Sequence, residues 1–227
     1  MSAASNSSTA SAQAAESHSV AYRGEIWEIA IGYALLQAAL WTEGELHWGC
    51  VIATAAWIVG ATIYHLPERR ELGLGWTGFA RSLWVPAAAT LAGAIMLLAG
   101  DLTGALHRYA PHRLLLALAI GYLIWTLQQQ FMLESFFFMR LERLLGSRRA
   151  VWAAAGLFAL AHFPNPVLVP ATWVAGLAFC ELFRRYRNIY TLAIAQTILG
   201  ICLACAVPEL WHHHMRVGIG YFTWIPR

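Results

Sequence analysis

The chain has 227 residues, 59% of them hydrophobic and only 12% charged, with a formal net charge of +3. A soluble domain carries about 25% charged residues, so this balance and a mean hydropathy of +0.54 exclude an ordinary soluble globular protein. No glycine-rich phosphate loop, Ser/His/Asp arrangement or nucleic-acid motif stands out, so the expected surroundings are a lipid bilayer and no nucleic acid.

In chain order, residues 1–20 are rich in Ser and Ala, with neither a basic start nor an apolar core. They read as a disordered tail rather than a signal peptide, ahead of one membrane domain at 21–227. Apolar runs then recur at roughly 25–42, 47–64, 82–99, 113–133, 149–163, 167–184 and 189–207. Each is long enough to cross, or nearly cross, about 30 Å of hydrocarbon at about 1.5 Å per residue. The expectation is an all-α, polytopic membrane helix bundle of about seven transmembrane helices. Segment 65–81 reads as a polar linker, and 134–146 as an amphipathic extension of the fourth span.

All 15 basic residues are arginine. With the N-terminus in the cytoplasm, Arg23, Arg69, Arg70, Arg81, Arg140, Arg143, Arg148, Arg149, Arg184, Arg185 and Arg187 fall inside, and Arg108, Arg113, Arg216 and Arg227 outside. That bias predicts a cytoplasmic N-terminus and a C-terminus outside, periplasmic if the membrane is a bacterial inner membrane. Trp41, Trp48, Trp84 and Trp211 fall at predicted span ends, where an interfacial belt would sit. Cys50, Cys180, Cys202 and Cys205 lie in apolar runs and read as small packing residues.

Polar groups at membrane depth are costly and mark a cavity or a partner. The first is Glu28, near enough to the start of its span to reach the headgroups. Gln128, Gln129, Gln130 and Glu134 follow on the fourth span. In an α-helix Gln130 and Glu134 share a face about 6 Å apart along the axis. His162 closes the fifth span one turn after Phe158, and Pro164 and Pro166 then break the helix. Glu181 precedes Arg184, Arg185 and Arg187 and reads as a local ion pair. Gln196 lies mid-span and needs a hydrogen-bond partner. Cys202 and Cys205 upstream of His212, His213 and His214 suggest zinc, but the cysteines lie within a span and consecutive helical histidines diverge, so a pH-sensitive surface is the simpler reading.

Residues 68–207 resemble the CPBP intramembrane endopeptidases (CAAX protease and bacteriocin-processing, also called Abi). That family carries E-E-x-x-x-R, then F-x-x-x-H, then a third motif such as H-x-x-x-N. Here the second motif is intact as Phe158 to His162, 33 residues after Gln129. "RRELGLGWTGFARSL" and "HFPNPVLVPATWVAGLAFCELFRRYRNIYTLAIAQ" resemble the family's connections. The resemblance implies an intramembrane CAAX-type protease with a glutamate general base, and histidines that bind a metal or stabilise the oxyanion. The chain departs from the pattern at the chemistry. Gln129 and Gln130 replace the paired glutamates, Glu134 the arginine, Gln196 the third-motif histidine and Gly200 the residue four later. An amide takes up no proton and is a poor metal ligand. Two readings follow. In the first, the chain is a non-proteolytic or altered homologue, a pseudoenzyme that binds a peptide, lipid or membrane partner in the former active-site cavity through Gln129, Gln130 and Gln196. In the second, it is an active endopeptidase with Glu134 and His162 as catalytic residues, and only then is zinc expected.

Overall fold

An apolar run in lipid must satisfy its own backbone N–H and C=O groups, and the helix is the local structure that does so. The computed structural model describes residues 3–65, 69–107 and 115–225, apart from the side chains of 3–21, Thr77 and Leu115. Arg108, Arg113 and Arg227 of the expected outer set therefore lie outside the described residues. The elements are α1 (Ala3–Leu40), α2 (Gly44–Tyr64), α3 (Trp76–Arg81), α4 (Trp84–Leu102), α5 (Leu115–Gln130), a π-helical segment (Phe131–Phe138), α6 (Met139–Leu145), α7 (Ser147–Leu160), α8 (Leu168–Tyr186), α9 (Tyr190–Ala206), α10 (Glu209–His212), a short 3₁₀ turn (His213–Met215) and α11 (Ile219–Phe222). The Ser/Ala-rich stretch expected as a tail is drawn from Ala3 as the start of α1.

The molecule is an all-helical membrane bundle. Gly44–Tyr64, Trp84–Leu102 and Leu116–Leu145 are long and apolar enough to cross a membrane, and Tyr190–Ala206 is a shorter apolar helix. Close approaches fix the relative directions. Ser82 bonds Thr191, and a Cβ at Gly93 would meet the Cys202 sulfur at 2.7 Å, so α4 and α9 run parallel. Thr126 bonds Thr197, and a Cβ at Gly200 would meet Tyr122, so α5 runs antiparallel to α9.

The core lies around the π-helical segment. Phe136, Phe137 and Phe138 are 0%, 4% and 0% exposed, so three consecutive aromatic rings all find cover. Phe136 lies on Gly32 of α1, Phe137 meets Tyr33 edge-on at 6.0 Å, and Phe138 meets Phe183 of α8 at 5.8 Å. In the π geometry the N–H of Met139 donates to the carbonyl of Glu134, five residues back. The wider turn shifts every side chain after Gln130 from its α-helical angle.

Arg140 is buried at 3% exposure. Its Nε donates to Glu28 of α1 at 2.6 Å, and its guanidinium lies 3.9 Å over the Phe136 ring. Glu28 also accepts from His65 of α2 at 2.7 Å, and Arg143 donates to Glu25 at 2.5 Å. One ionic cluster therefore ties α1, α2 and α6 together. Glu28 is thus a partner to two other helical segments while its side chain stays partly exposed. Glu181 does pair locally, with Arg184 at 2.8 Å and Arg185 at 2.6 Å.

At the opposite end, Asn165 staples the α7–α8 turn to the C-terminal segment. Its amide donates to the carbonyls of His212 and Arg216 at 2.8 and 2.9 Å, and its oxygen accepts from Val167 and Leu168 at 3.0 Å. His212, expected on a surface, is fully buried. Its Nε2 donates to the Val207 carbonyl at 3.0 Å, and its Nδ1 accepts the Met215 N–H at 3.1 Å. That accepted bond requires the neutral ring. His213, His214 and Met215 follow with φ of 46°, 56° and 60°, a left-handed turn that side chains disfavour.

Removing Arg140 leaves the Glu28 carboxylate with His65 as its one partner among the described residues. Breaking one partner of a buried pair costs about 3–5 kcal/mol, and the partial exposure of Glu28 brings the expected loss for Arg140→Met nearer about 2 kcal/mol. Thermal melting of the purified protein in detergent checks this, and an unchanged midpoint would show that the cluster does not couple the helices. Burial is the largest influence on His212 and holds its pKa below the ordinary 6.5, with His107 and His214 adding in the same direction against the Val207 carbonyl and Glu209. The unfolded ring therefore takes up a proton before the folded one does. Stability is full above about pH 6.5 and declines as pH falls towards the folded value, by up to about 1.4 kcal/mol per pH unit. Melting from pH 7.5 to 5 should show this decline, and His212→Gln should flatten it.

Candidate functional site

The site positions implied by the sequence fall on α5, the π-helical segment, α7 and α9. Along α5, Tyr122, Thr126, Gln129 and Gln130 recur at helical spacing and meet α9. Thr126 Oγ1 bonds Thr197 Oγ1 at 2.8 Å and donates to the Ala193 carbonyl at 3.1 Å, a pattern that satisfies hydroxyls within a membrane interface. One turn further on, Gln130 Nε2 donates to Gln196 Oε1 at 2.7 Å, and Gln196 Nε2 donates to Gln129 Oε1 at 2.6 Å. Gln130 is fully buried, and its own Oε1 has no hydrogen-bond partner. The structure thus brings Gln129, Gln130 and Gln196 together as a chain of three amides. Gln128, the first of the run, is exposed.

Gly200 belongs to the same seam. A Cβ there would lie 2.3 Å from the Tyr122 hydroxyl, so the tyrosine occupies the space a side chain at 200 would need. Neither an asparagine nor a histidine fits at that position with Tyr122 in place.

Glu134 stands apart from the amides. It is fully buried, and no nitrogen or oxygen group bonds either carboxyl oxygen. The buried Cys180 of α8 is the neighbouring side chain with a polar atom, and neither carboxyl oxygen has a hydrogen-bond partner among the described residues. The α-helical expectation that Gln130 and Glu134 share a face assumes 3.6 residues per turn. With the π geometry, Gln130 turns to α9 while Glu134 turns to α8.

His162 follows α7 in the turn towards α8. Its Nδ1 lies 2.7 Å from the Phe158 carbonyl, and the two rings meet edge-on at 4.8 Å. A carbonyl only accepts, so Nδ1 carries the proton and Nε2 keeps the lone pair. His162 and Glu134 do not hydrogen-bond each other: the imidazole bonds Phe158, and both carboxyl oxygens lack a partner among the described residues. The F-x-x-x-H motif thus has a local role: Phe158 supplies both the carbonyl that sets the tautomer and the ring that holds the imidazole.

A zinc ion needs three or four thiolate, imidazole or carboxylate ligands within about 2.0–2.3 Å. No group of three such side chains occurs among the described residues. The donors at the motif positions are two neutral amides facing a third, with one imidazole elsewhere, and this set does not fit a metal ion. His212 is occupied by its two backbone bonds. His213 stacks on Tyr221 at 3.9 Å and on Trp224 at 4.7 Å, and His214 bonds Glu209 at 2.9 Å. The three imidazoles thus serve separate contacts.

Thr126 and Thr197 escape a search for ionisable groups, Tyr122 was passed over, and Cys180 read only as a packing residue. The one available signal was Thr126 four residues before Gln130, facing Thr197 beside Gln196. If the amide chain holds α5 on α9, Gln196→Leu leaves both Gln129 and Gln130 without their partner. At about 0.6–1.7 kcal/mol per interhelical bond, the loss should be about 1–3 kcal/mol. Adding Gln129→Leu and Gln130→Leu should restore part of it, as a melting-based mutant cycle would show; simple additivity would mean that the amides do not act as a unit.

Two independent lines now meet on the same segment. A family model described as type II CAAX prenyl endopeptidase Rce1-like matches residues 111–202. Those residues span α5 to most of α9, including every motif position named above. Searches of curated proteins and of solved structures return no match. Over residues 111–202 this integral membrane protein is therefore similar to the Rce1-like CAAX prenyl endopeptidases, the intramembrane protease kind that its motifs resemble.

Proposed function

We propose that the chain is a non-proteolytic homologue of the CAAX-type intramembrane endopeptidases that retains their helical frame to bind a membrane-embedded peptide or lipid. One observation carries the reading: the residues standing for the paired glutamates and the third-motif histidine bond one another, from Gln130 to Gln196 to Gln129. A neutral amide is too weak a base to take a proton from water and is a poor metal ligand, and here the amides are engaged with one another. Glu134, the carboxyl next along the motif, is buried beside Cys180 and makes no hydrogen bond to His162. A general base must lie within about 2.6–3.2 Å of the proton it takes, or one water away. Recognition makes no such demand. Gln129, half-buried at the edge of the seam, presents an amide suited to the backbone of a partner segment.

The test is hydrolysis of a prenylated peptide ending in a CAAX sequence by the purified protein, with and without added zinc. Hydrolysis should not exceed that of the His162→Ala and Glu134→Gln variants, while a photo-crosslinking prenylated peptide should label the wild-type chain. Cleavage that disappears in either variant would overturn the proposal and restore Glu134 and His162 as catalytic residues. Absence of labelling above background would remove peptide binding from it.

A further inference from the structure

One end of the bundle carries a cavity of about 420 Å³ lined by Arg70, Glu71, Met139, Glu142, Arg143 and Arg187. It is a built feature. An isolated bridge between Leu74 and Asn188, with the Ile189 N–H donating to the Gly73 carbonyl at 3.1 Å, fastens the linker to the α8–α9 turn. Gly73 has φ +75°, and a Cβ there would meet Phe183 at 2.5 Å, so the linker passes where only glycine fits. This fastening brings Arg70 and Glu71 beside Arg187. Arg187 adopts a left-handed φ of 47°, pairs with Glu142, and lies 5.2 Å over the Phe183 ring. Glu142 also accepts from Ser147 at 2.8 Å. Arg143 spends one N–H on Glu25.

A guanidinium has five N–H donors, so Arg143 and Arg187 keep several for a ligand. Arg70 and Glu71 are exposed and make no ion pair among the described residues. The cavity also lies at an aromatic level. Trp76 is 75% exposed and stacks on Tyr190 at 5.9 Å, and Trp84 meets Tyr186 edge-on at 6.4 Å. Exposed tryptophan and tyrosine at one end of apolar helices mark the headgroup layer.

The cavity thus offers, at headgroup depth, planar donors suited to a phosphate and, in Glu71, one carboxylate without a partner among the described residues. A purely anionic ligand would leave Glu71 opposed. A quaternary ammonium is held by aromatic rings, and none lines the cavity. We propose that this cavity binds a phosphoethanolamine-type lipid headgroup, with the phosphate on Arg70, Arg143 and Arg187 and the primary ammonium on Glu71. The assignment is independent of whether the chain hydrolyses peptides.

The experiment is calorimetric titration of the full chain in detergent with short-chain phosphatidylethanolamine, phosphatidylglycerol and phosphatidylcholine, and with O-phosphoethanolamine and inorganic phosphate. Phosphatidylethanolamine should bind at least about tenfold tighter than the other two lipids. Arg70→Ala and Glu71→Ala, both exposed positions, should each weaken it by about tenfold while leaving the unliganded melting midpoint unchanged. Glu71→Lys should reverse the preference towards phosphatidylglycerol. Equal affinity for all three lipids, or unaltered binding in both alanine variants, would overturn the proposal. O-phosphoethanolamine binding as tightly as the lipid would reassign the cavity to a soluble phosphoester, and inorganic phosphate doing so would reduce it to an adventitious anion site.

Discussion

Two helices that meet inside a membrane must satisfy their polar side chains from each other, and the α5–α9 seam is where this chain meets that constraint. Gln196 stands between Gln129 and Gln130, donating to one and accepting from the other. Thr126 and Thr197 close the next layer, and Tyr122 covers Gly200 beyond it. Water is not available to replace a missing partner at that depth. The seam therefore specifies the register of α5 on α9, and α4 follows because Gly93 and Gly100 admit Cys202 and Ala206 of α9 at close range.

The π-helical segment is the second constraint, because it decouples the two halves of the polar run. Residues up to Gln130 answer to α9, and residues from Glu134 answer to α8 and the ionic cluster. Such segments recur at functional sites. Here it supplies room for three consecutive buried phenylalanines and swings Arg140 inward to Glu28. The carboxyl of Glu134 is carried to the Cys180 side by the same turn. Positions that read as one motif in sequence are thereby split between two environments.

Helix existence was largely legible. The runs near 47–64, 82–99, 167–184 and 189–207 match α2, α4, α8 and α9 within a few residues, because a lipid-facing backbone has no alternative to the helix. The resemblance was legible as well, since Phe158 and His162 keep their spacing and the family match covers the same stretch. Gln196 was legible as a residue in need of a partner, but the partner was not. The departures share a cause. The burial of Arg140 was not legible because its partner Glu28 lies more than a hundred positions earlier in the chain. His212 read as surface because Asn165, which bonds its carbonyl, and His107, which stacks on its ring at 6.3 Å, lie far from it in the chain.

The sequence alone determined the class of molecule, an all-helical membrane bundle, and the substitution of amides for carboxylates at the motif positions. Composition settles the first and residue identity the second, and neither depends on packing. Only the tertiary structure decided that Gln129, Gln130 and Gln196 bond one another, that Glu134 faces Cys180, and that Arg70 and Glu71 meet Arg187 across one cavity. Hydrogen bonds and ion pairs between helices depend on side-chain direction to within a fraction of a turn. Here a change from α to π winding moved that direction, and the local sequence pattern does not report it.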